Sequence, residues 1–194
     1  HGFATAVNDL GLVVGTSSGY DFTTKSGSQQ AFIVVPKDNS WYEDPNGDGF
    51  NDLLVPMGRP TGVADSFTPT DLNINNKGQV VGWFYDPNGV YPRVGFLLTP
   101  VLYTQGALRW FQDLNGDGAN DLMVNLGGFL PRSINDSGQI VGMTDVGGAM
   151  LRNPDGSLID LQPGGTQSEG EVINNRGQIG VWWRSDVGHA GLLT

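Results

Sequence analysis

Short apolar runs alternate along the chain with clusters of Gly, Asn, Asp and Pro, and one arrangement of the two recurs four times. It reads Ala6-Val-Asn-Asp-Leu-Gly-Leu-Val-Val-Gly15, then Asn73-Ile-Asn-Asn-Lys-Gly-Gln-Val-Val-Gly82. It returns as Ser133-Ile-Asn-Asp-Ser-Gly-Gln-Ile-Val-Gly142 and as Val172-Ile-Asn-Asn-Arg-Gly-Gln-Ile-Gly-Val181, the last one residue short before its Gly. Asn-[Asp/Asn]-x-Gly between two apolar runs predicts a β-hairpin turn. Gly tolerates the positive φ of such a turn, and Asn or Asp bonds back to the backbone. Each copy is therefore a strand, a tight turn and a second strand.

A third strand is predicted after each hairpin, at Ala31–Pro36, Gly95–Pro100, Ala149–Pro154 and Ala190–Thr194. Three of these close on Pro, which has no N–H with which to continue a ladder. A fourth is predicted at Asp52–Gly58, Asp121–Gly127 and Asp160–Gly164. The unit is then about four short antiparallel strands. It repeats four times in a single domain over residues 1–194, as units of about 1–59, 60–128, 129–166 and 167–194. This predicts an all-β fold. Four-stranded units in series favour a small β-propeller of four repeat units; the alternative is a β-sandwich or prism. The last unit stops inside its third strand at Thr194, so an unpaired edge open to strand addition is expected there.

Composition agrees with many turns and few helices. There are 30 Gly and 11 Pro in 194 residues, while 38% hydrophobic residues with five Trp, nine Phe and five Tyr provide a core. No apolar stretch is long enough to span a membrane as a helix. The formal net charge of −10 and only ten basic residues speak against a nucleic-acid partner. With no cysteine the chain draws nothing from disulfides. It begins at His1 rather than Met, which reads as a removed signal peptide or a cut fragment.

The acidic charge is concentrated in two nearly identical loops, Asp44-Pro-Asn-Gly-Asp-Gly-Phe-Asn-Asp52 and Asp113-Leu-Asn-Gly-Asp-Gly-Ala-Asn-Asp121. Oxygen side chains stand at loop positions 1, 3, 5 and 9, with Gly at 6, the spacing that turns alternate side chains onto a hard cation such as Ca2+. Two calcium sites are predicted. Asp44, Asn46, Asp48 and Asp52 ligate one ion with the Phe50 carbonyl; Asp113, Asn115, Asp117 and Asp121 ligate the other with the Ala119 carbonyl. Position 12 is Val55 or Val124, so the bidentate Glu of an EF-hand is missing and the loop feeds a strand. Two such ions bring the formal charge from −10 to −6. Three carboxylates in one small loop repel without a cation, so a metal-free loop is expected to be disordered. Sites of weak to moderate affinity fill where calcium is millimolar, outside cells.

The hairpin motif resembles the bacterial extracellular HAF repeat family, whose units carry an Ile-Asn-x-x-Gly-x-Ile-Val-Gly hairpin followed by a His-Ala-Phe-like strand. Gln30-Ala31-Phe32, Val94-Gly95-Phe96 and His189-Ala190-Gly191 occupy that second place, and only the last keeps the His. The resemblance covers the chain through all four hairpins and implies secretion and a propeller-like fold, with no catalytic activity. The acidic loops are similar to the calcium loops of integrin-type propeller blades and of dockerins.

Aromatic residues are the remaining candidates. Trp41 and Trp110 precede the two loops at matching positions, and Trp182-Trp183 follow the last hairpin. Core packing is the plainer reading of all four; a sugar-stacking surface is the functional one. Asn135-Asp-Ser137 fits a glycosylation sequon inside a turn where Asn already has a structural reason to stand. An N-terminal His can bind copper through its amine and ring, with His189 the one other His to face His1. No nucleophile elbow or His-Glu-x-x-His motif is present. The sequence thus favours a secreted or cell-surface, non-catalytic, calcium-binding repeat protein for adhesion or for glycan or protein binding. The alternatives are a filament subunit assembled by strand exchange at the open last unit, and a polysaccharide-active enzyme.

Overall fold

In all four copies the Asn-x-x-Gly corner closes the hairpin that the pattern predicts. The N–H of Gly11, Gly78, Gly138 or Gly177 donates to the carbonyl of the motif Asn three residues earlier, at 3.0–3.1 Å, and each of these glycines has φ between 75° and 79°. A computed structural model describes residues 2–17, 30–63, 68–85, 92–103, 106–161, 167–184 and 188–193.

The first sheet holds β1 (Gly2–Val7), β2 (Val13–Ser17), β3 (Gln30–Val34) and β4 (Leu54–Pro56) in chain order. The second holds β5 (Thr68–Ile74), β6 (Val80–Tyr85) and β7 (Arg93–Leu98). Between β7 and its fourth strand lies a small hairpin, β8 (Val101–Leu102) with β9 (Leu108–Arg109), and β10 (Met123–Gly127) completes the sheet. The third sheet is β11 (Phe129–Ile134), β12 (Ile140–Thr144), β13 (Ala149–Arg152) and β14 (Leu158–Asp160). The fourth is β15 (Gln167–Ile173), β16 (Ile179–Arg184) and β17 (Gly188–Leu193). Every pairing is antiparallel, so the chain is all-β, as expected.

Three details differ from the pattern. The fourth strand of the third unit is Leu158–Asp160 and not a run starting at Asp160. The turn Asn153-Pro-Asp-Gly156 is so tight that Leu158 already pairs with Arg152; residues 162–164 of the expected strand lie outside the described residues, as do His1 and Thr194. The β8–β9 hairpin carries no turn motif that sets it apart. Finally, the first strand of every unit carries a bulge, between Ala4 and Ala6, Thr70 and Asn73, Pro131 and Ser133, and Gly170 and Val172. The bulge explains a glycine of the motif: a Cβ at Gly15 or Gly142 would collide with the carbonyl of Phe3 or Leu130 on the bulged strand.

The sheets pack on one another in chain order. The first strand of each unit lies across the first three strands of the unit before it, and among the described residues no substantial packing joins the first sheet to the fourth. No closed ring or barrel forms among them. Alternation assigns one row of each sheet to each neighbour. Ala6, Val14, Ile33 and Val55 of the first sheet meet Ile74, Val80, Leu98 and Met123 of the second. The next row of the second sheet, with Val81 and Leu97, meets Ile134 and Ile140 of the third. Val141 and Leu151 then meet Ile173, Ile179 and Leu193 of the fourth.

Along one edge the hairpin corners form a continuous hydrogen-bonded spine. In each corner the Asn side-chain oxygen accepts from the backbone N–H two and four residues on, for Asn75 from Lys77 and Gln79, both at 3.0 Å. Its Nδ2 reaches the next unit. Asn8 Nδ2 donates to the Asn75 carbonyl at 2.9 Å, Asn75 to the Asn135 carbonyl at 2.9 Å, and Asn135 to the Asn174 carbonyl at 3.2 Å. Beside it runs a second file, in which the N–H of Asp9, Asn76 and Asp136 donates to the side-chain oxygen of Asn76, Asp136 and Asn175, respectively. A single Asn amide thus shapes its own turn and ties it to its neighbour.

Asn75 is 4% exposed and makes two donor and two acceptor bonds. Asn75→Ala leaves several buried partners unsatisfied and should cost about 3 kcal/mol. The equivalent change at the exposed Asn174, which bonds no further unit, should cost less than about 1.5 kcal/mol. Urea midpoints of the two variants check the difference; equal losses would remove the spine from the account.

Candidate functional site

The two acidic loops are built alike. The first joins β3 to β4 and the second joins β9 to β10. Glycines at loop positions 4 and 6 take positive φ in both: Gly47 and Gly49 at 72° and 83°, Gly116 and Gly118 both at 76°. These left-handed steps coil the backbone so that the side chain at position 1 folds over it. Asp44 accepts from the N–H of Asp48 and Gly49, each at 3.0 Å, and Asp113 from Gly116 at 2.7 Å and Gly118 at 2.9 Å. Position 3 caps position 5 through Asn46 and Asn115, and position 5 caps position 7 through Asp48 and Asp117. Asp121 accepts from Leu114 N at 2.7 Å.

Both loops are therefore closed turns held by hydrogen bonds between side chains and backbone. Backbone N–H groups stabilise the carboxylates one by one. Among the described residues no group of three carboxylates converges as a metal-holding cluster. The donor chemistry of Asp44, Asn46, Asp48 and Asp52, and of its twin, suits a hard cation, and the coiled backbone presents it from one turn. Phe50 and Ala119 lie at the expected position 7; their N–H groups cap Asp48 and Asp117.

The residue that anchors each loop was not among the candidates. It is the Asn at position 8. Asn120 is fully buried; its Nδ2 donates at 2.7 Å to both Met57 O and Trp110 O, and its Oδ1 accepts from Gln112 and Leu122 N–H. Asn51 repeats most of this with Trp41 O, Glu43 N and Leu53 N. Its presence in both loops was the available signal.

The tryptophans fall into distinct settings. The Trp110 indole N–H donates to Gly78 O at 2.9 Å and its ring is only 3% exposed between the first two sheets, so it is a core residue and offers no stacking face. Trp41 makes the same bond to Gly11 O at 2.8 Å, yet it is 47% exposed beside an apolar groove with Val7 and Val13. Trp183 packs on the core between the third and fourth sheets and stacks on His189, with ring centres 5.4 Å apart. Trp182 lines a cleft of about 240 Å³ with Arg93, Asp145, Gln167 and Glu169.

A charged network borders that cleft. Arg132 on β11 bonds Asp71 of the second unit at 2.6 Å and Glu169 of the fourth at 3.0 Å, and Trp83 Nε1 donates to the same Asp71 oxygen at 2.9 Å. Asp71 sits in the bulge of β5 with φ 53°, a left-handed conformation that Asp tolerates better than most residues. Burial raises the pKa of Glu171, against the pull of Arg132; the carboxylates of Glu169 and Asp71 add to the rise. Tyr42, beside the first loop, is also raised, by desolvation and then by Asp44.

The sequon asparagine Asn135 is 3% exposed with both side-chain atoms committed to the spine, so it has no free amide for a glycan. His1, the proposed copper partner of His189, lies outside the described residues. No family model matches the chain, and no curated protein or solved structure matches it at a significant level.

Two outcomes follow from this geometry. Asn120→Ala should cost about 3 kcal/mol in denaturant unfolding, and more than Asn51→Ala, whose site is partly solvated. Glu171 has a folded pKa above its ordinary value of 4.5. The unfolded chain ionises first as pH rises, so this group lowers stability from about that pH up to its raised folded value. Glu171→Gln should flatten the fall, as measured by unfolding free energy across that window; an unchanged slope contradicts the assignment.

Proposed function

We propose that this chain is a non-catalytic, calcium-stabilised β-repeat module whose four sheets act as blades of a propeller-type array, and that it works outside the cell by binding glycan or protein surfaces. The observation that carries the calcium reading is the twin-loop framework. Two loops, 69 residues apart in sequence by their first Asp, share Gly positions, side-chain caps and an anchoring Asn. Each sets three carboxylates and an amide oxygen within nine residues, a donor set that a hard divalent cation satisfies better than backbone N–H groups do. A loop with no bidentate ligand at position 12 binds weakly, which suits millimolar calcium outside cells. The hairpin motif's resemblance to extracellular HAF repeats points the same way.

The cleft lined by Trp182 is the best-supported ligand site. An aromatic flank beside Arg93, Asp145, Gln167 and Glu169 offers a stacking edge with donors and acceptors, the mix that a sugar or a polar peptide segment uses. Glu169 is already engaged by Arg132, which favours a binding role for it over acid–base work.

Adding Ca2+ should raise the melting temperature, and Asp48→Ala or Asp117→Ala should each remove part of that rise. No change in melting on adding calcium or chelator would refute the calcium reading. For the cleft, a glycan array should give signals that Trp182→Ala abolishes with the fold intact by circular dichroism.

A further inference from the structure

Among the described residues the spine and the packing rows both stop short at the two outer sheets, and the two unfinished ends are complementary. At the fourth unit the donors are left over: Asn174 Nδ2 bonds only Gln178, and the N–H of Asn175 has no partner among the described residues. At the first unit the acceptors are left over: among the described residues the Asp9 carboxylate receives only Asn76 on one oxygen, and no neighbouring unit's Asn donates to the Asn8 carbonyl as it does at the three later corners. The second file alternates Asp9, Asn76, Asp136, Asn175, so the residue that continues it after Asn175 is an Asp.

The apolar rows match in the same sense. The row of the first sheet equivalent to the one that buries Ile74 and Val80 contains Val7 and Val13; Val7 is 64% exposed and borders, with Trp41, an apolar groove of about 480 Å³. The row of the fourth sheet equivalent to the one that buries Val141 contains Val172 and Leu192, 55% and 63% exposed. We propose that a second copy of this chain docks head to tail, its first sheet packing on the fourth sheet of its partner and extending the Asn/Asp spine across the interface. The opposite arrangements are disfavoured by the same chemistry: two first units face to face set Asp9 against Asp9, and two fourth units set donor against donor. A head-to-tail interface is heterologous, so it either closes into a ring or extends as a filament. It needs no exchanged strand, and it stands independently of the calcium and cleft readings.

The test is sedimentation velocity of the 194-residue chain over a wide concentration range, with Val7→Lys and Leu192→Lys as single variants. Both positions are exposed, and unchanged thermal unfolding of each confirms an intact fold. Wild-type chain should associate with concentration, and each variant alone should weaken association at least tenfold. Mixed together, the variants should form one-to-one dimers and go no further, because only one good head and one good tail remain. A wild-type monomer at high micromolar concentration overturns the proposal and leaves a further repeat of a longer chain as the occupant. Association untouched by either variant, or a mixture that behaves like its components, overturns it as well.

Discussion

An asparagine amide is one of the few side-chain groups that carries an acceptor and two donors on one rigid plane, and this fold depends on using both ends of it at once. At Asn8, Asn75, Asn135 and Asn174 the oxygen holds the corner of its own hairpin. At the first three the nitrogen fixes the spacing to the next unit. Neither aspartate nor serine does both. Aspartate has no donor for the neighbouring carbonyl, and a serine hydroxyl lacks the span to reach two backbone N–H groups and the next unit. The Gly three residues on is needed because the corner turns left-handed there.

Because this edge sets the register of one sheet on the next, the rest of each unit is free to vary. Motif asparagines are separated by 67, 60 and 39 residues, yet the inter-unit bonds stay within 2.9–3.2 Å. The long intervals hold the acidic loops and the β8–β9 hairpin; the short one has a four-residue turn at Asn153–Gly156 in the place of an acidic loop. Loop length costs little entropy once the ends are fixed. The same economy appears at the loop necks, where Asn51 and Asn120 each gather donors and acceptors from both arms of the loop.

Much of this was legible in the sequence. The hairpins, the third strands and the all-β class follow from a local pattern, since turn chemistry and alternation act over a few residues. What local pattern does not encode was missed. Local pattern assigns the motif Asn to its own turn, whereas its bond to the next unit exists only because copies 60 residues apart lie side by side. The burial of Trp110 against the exposure of Trp41 has the same origin. Both make one bond to the hairpin Gly, and what separates them is the sheet that covers Trp110. The Asp71–Arg132–Glu169 network joins three units and has no signature in any one of them.

The position of the acidic loops bears on what they do. Their carboxylates accept from backbone N–H groups of the same loop and keep their charge, and an Asn at each neck gathers the two arms. At the second loop that neck also spans two units, since Asn120 donates to Met57 of the first and to Trp110 of the second. A cation that tightened the second loop would therefore act on the packing of the first sheet against the second. At the first loop, Asn51 binds only within its own unit. The twin sequences thus stand in unequal mechanical roles: one steadies a loop, and the other an interface.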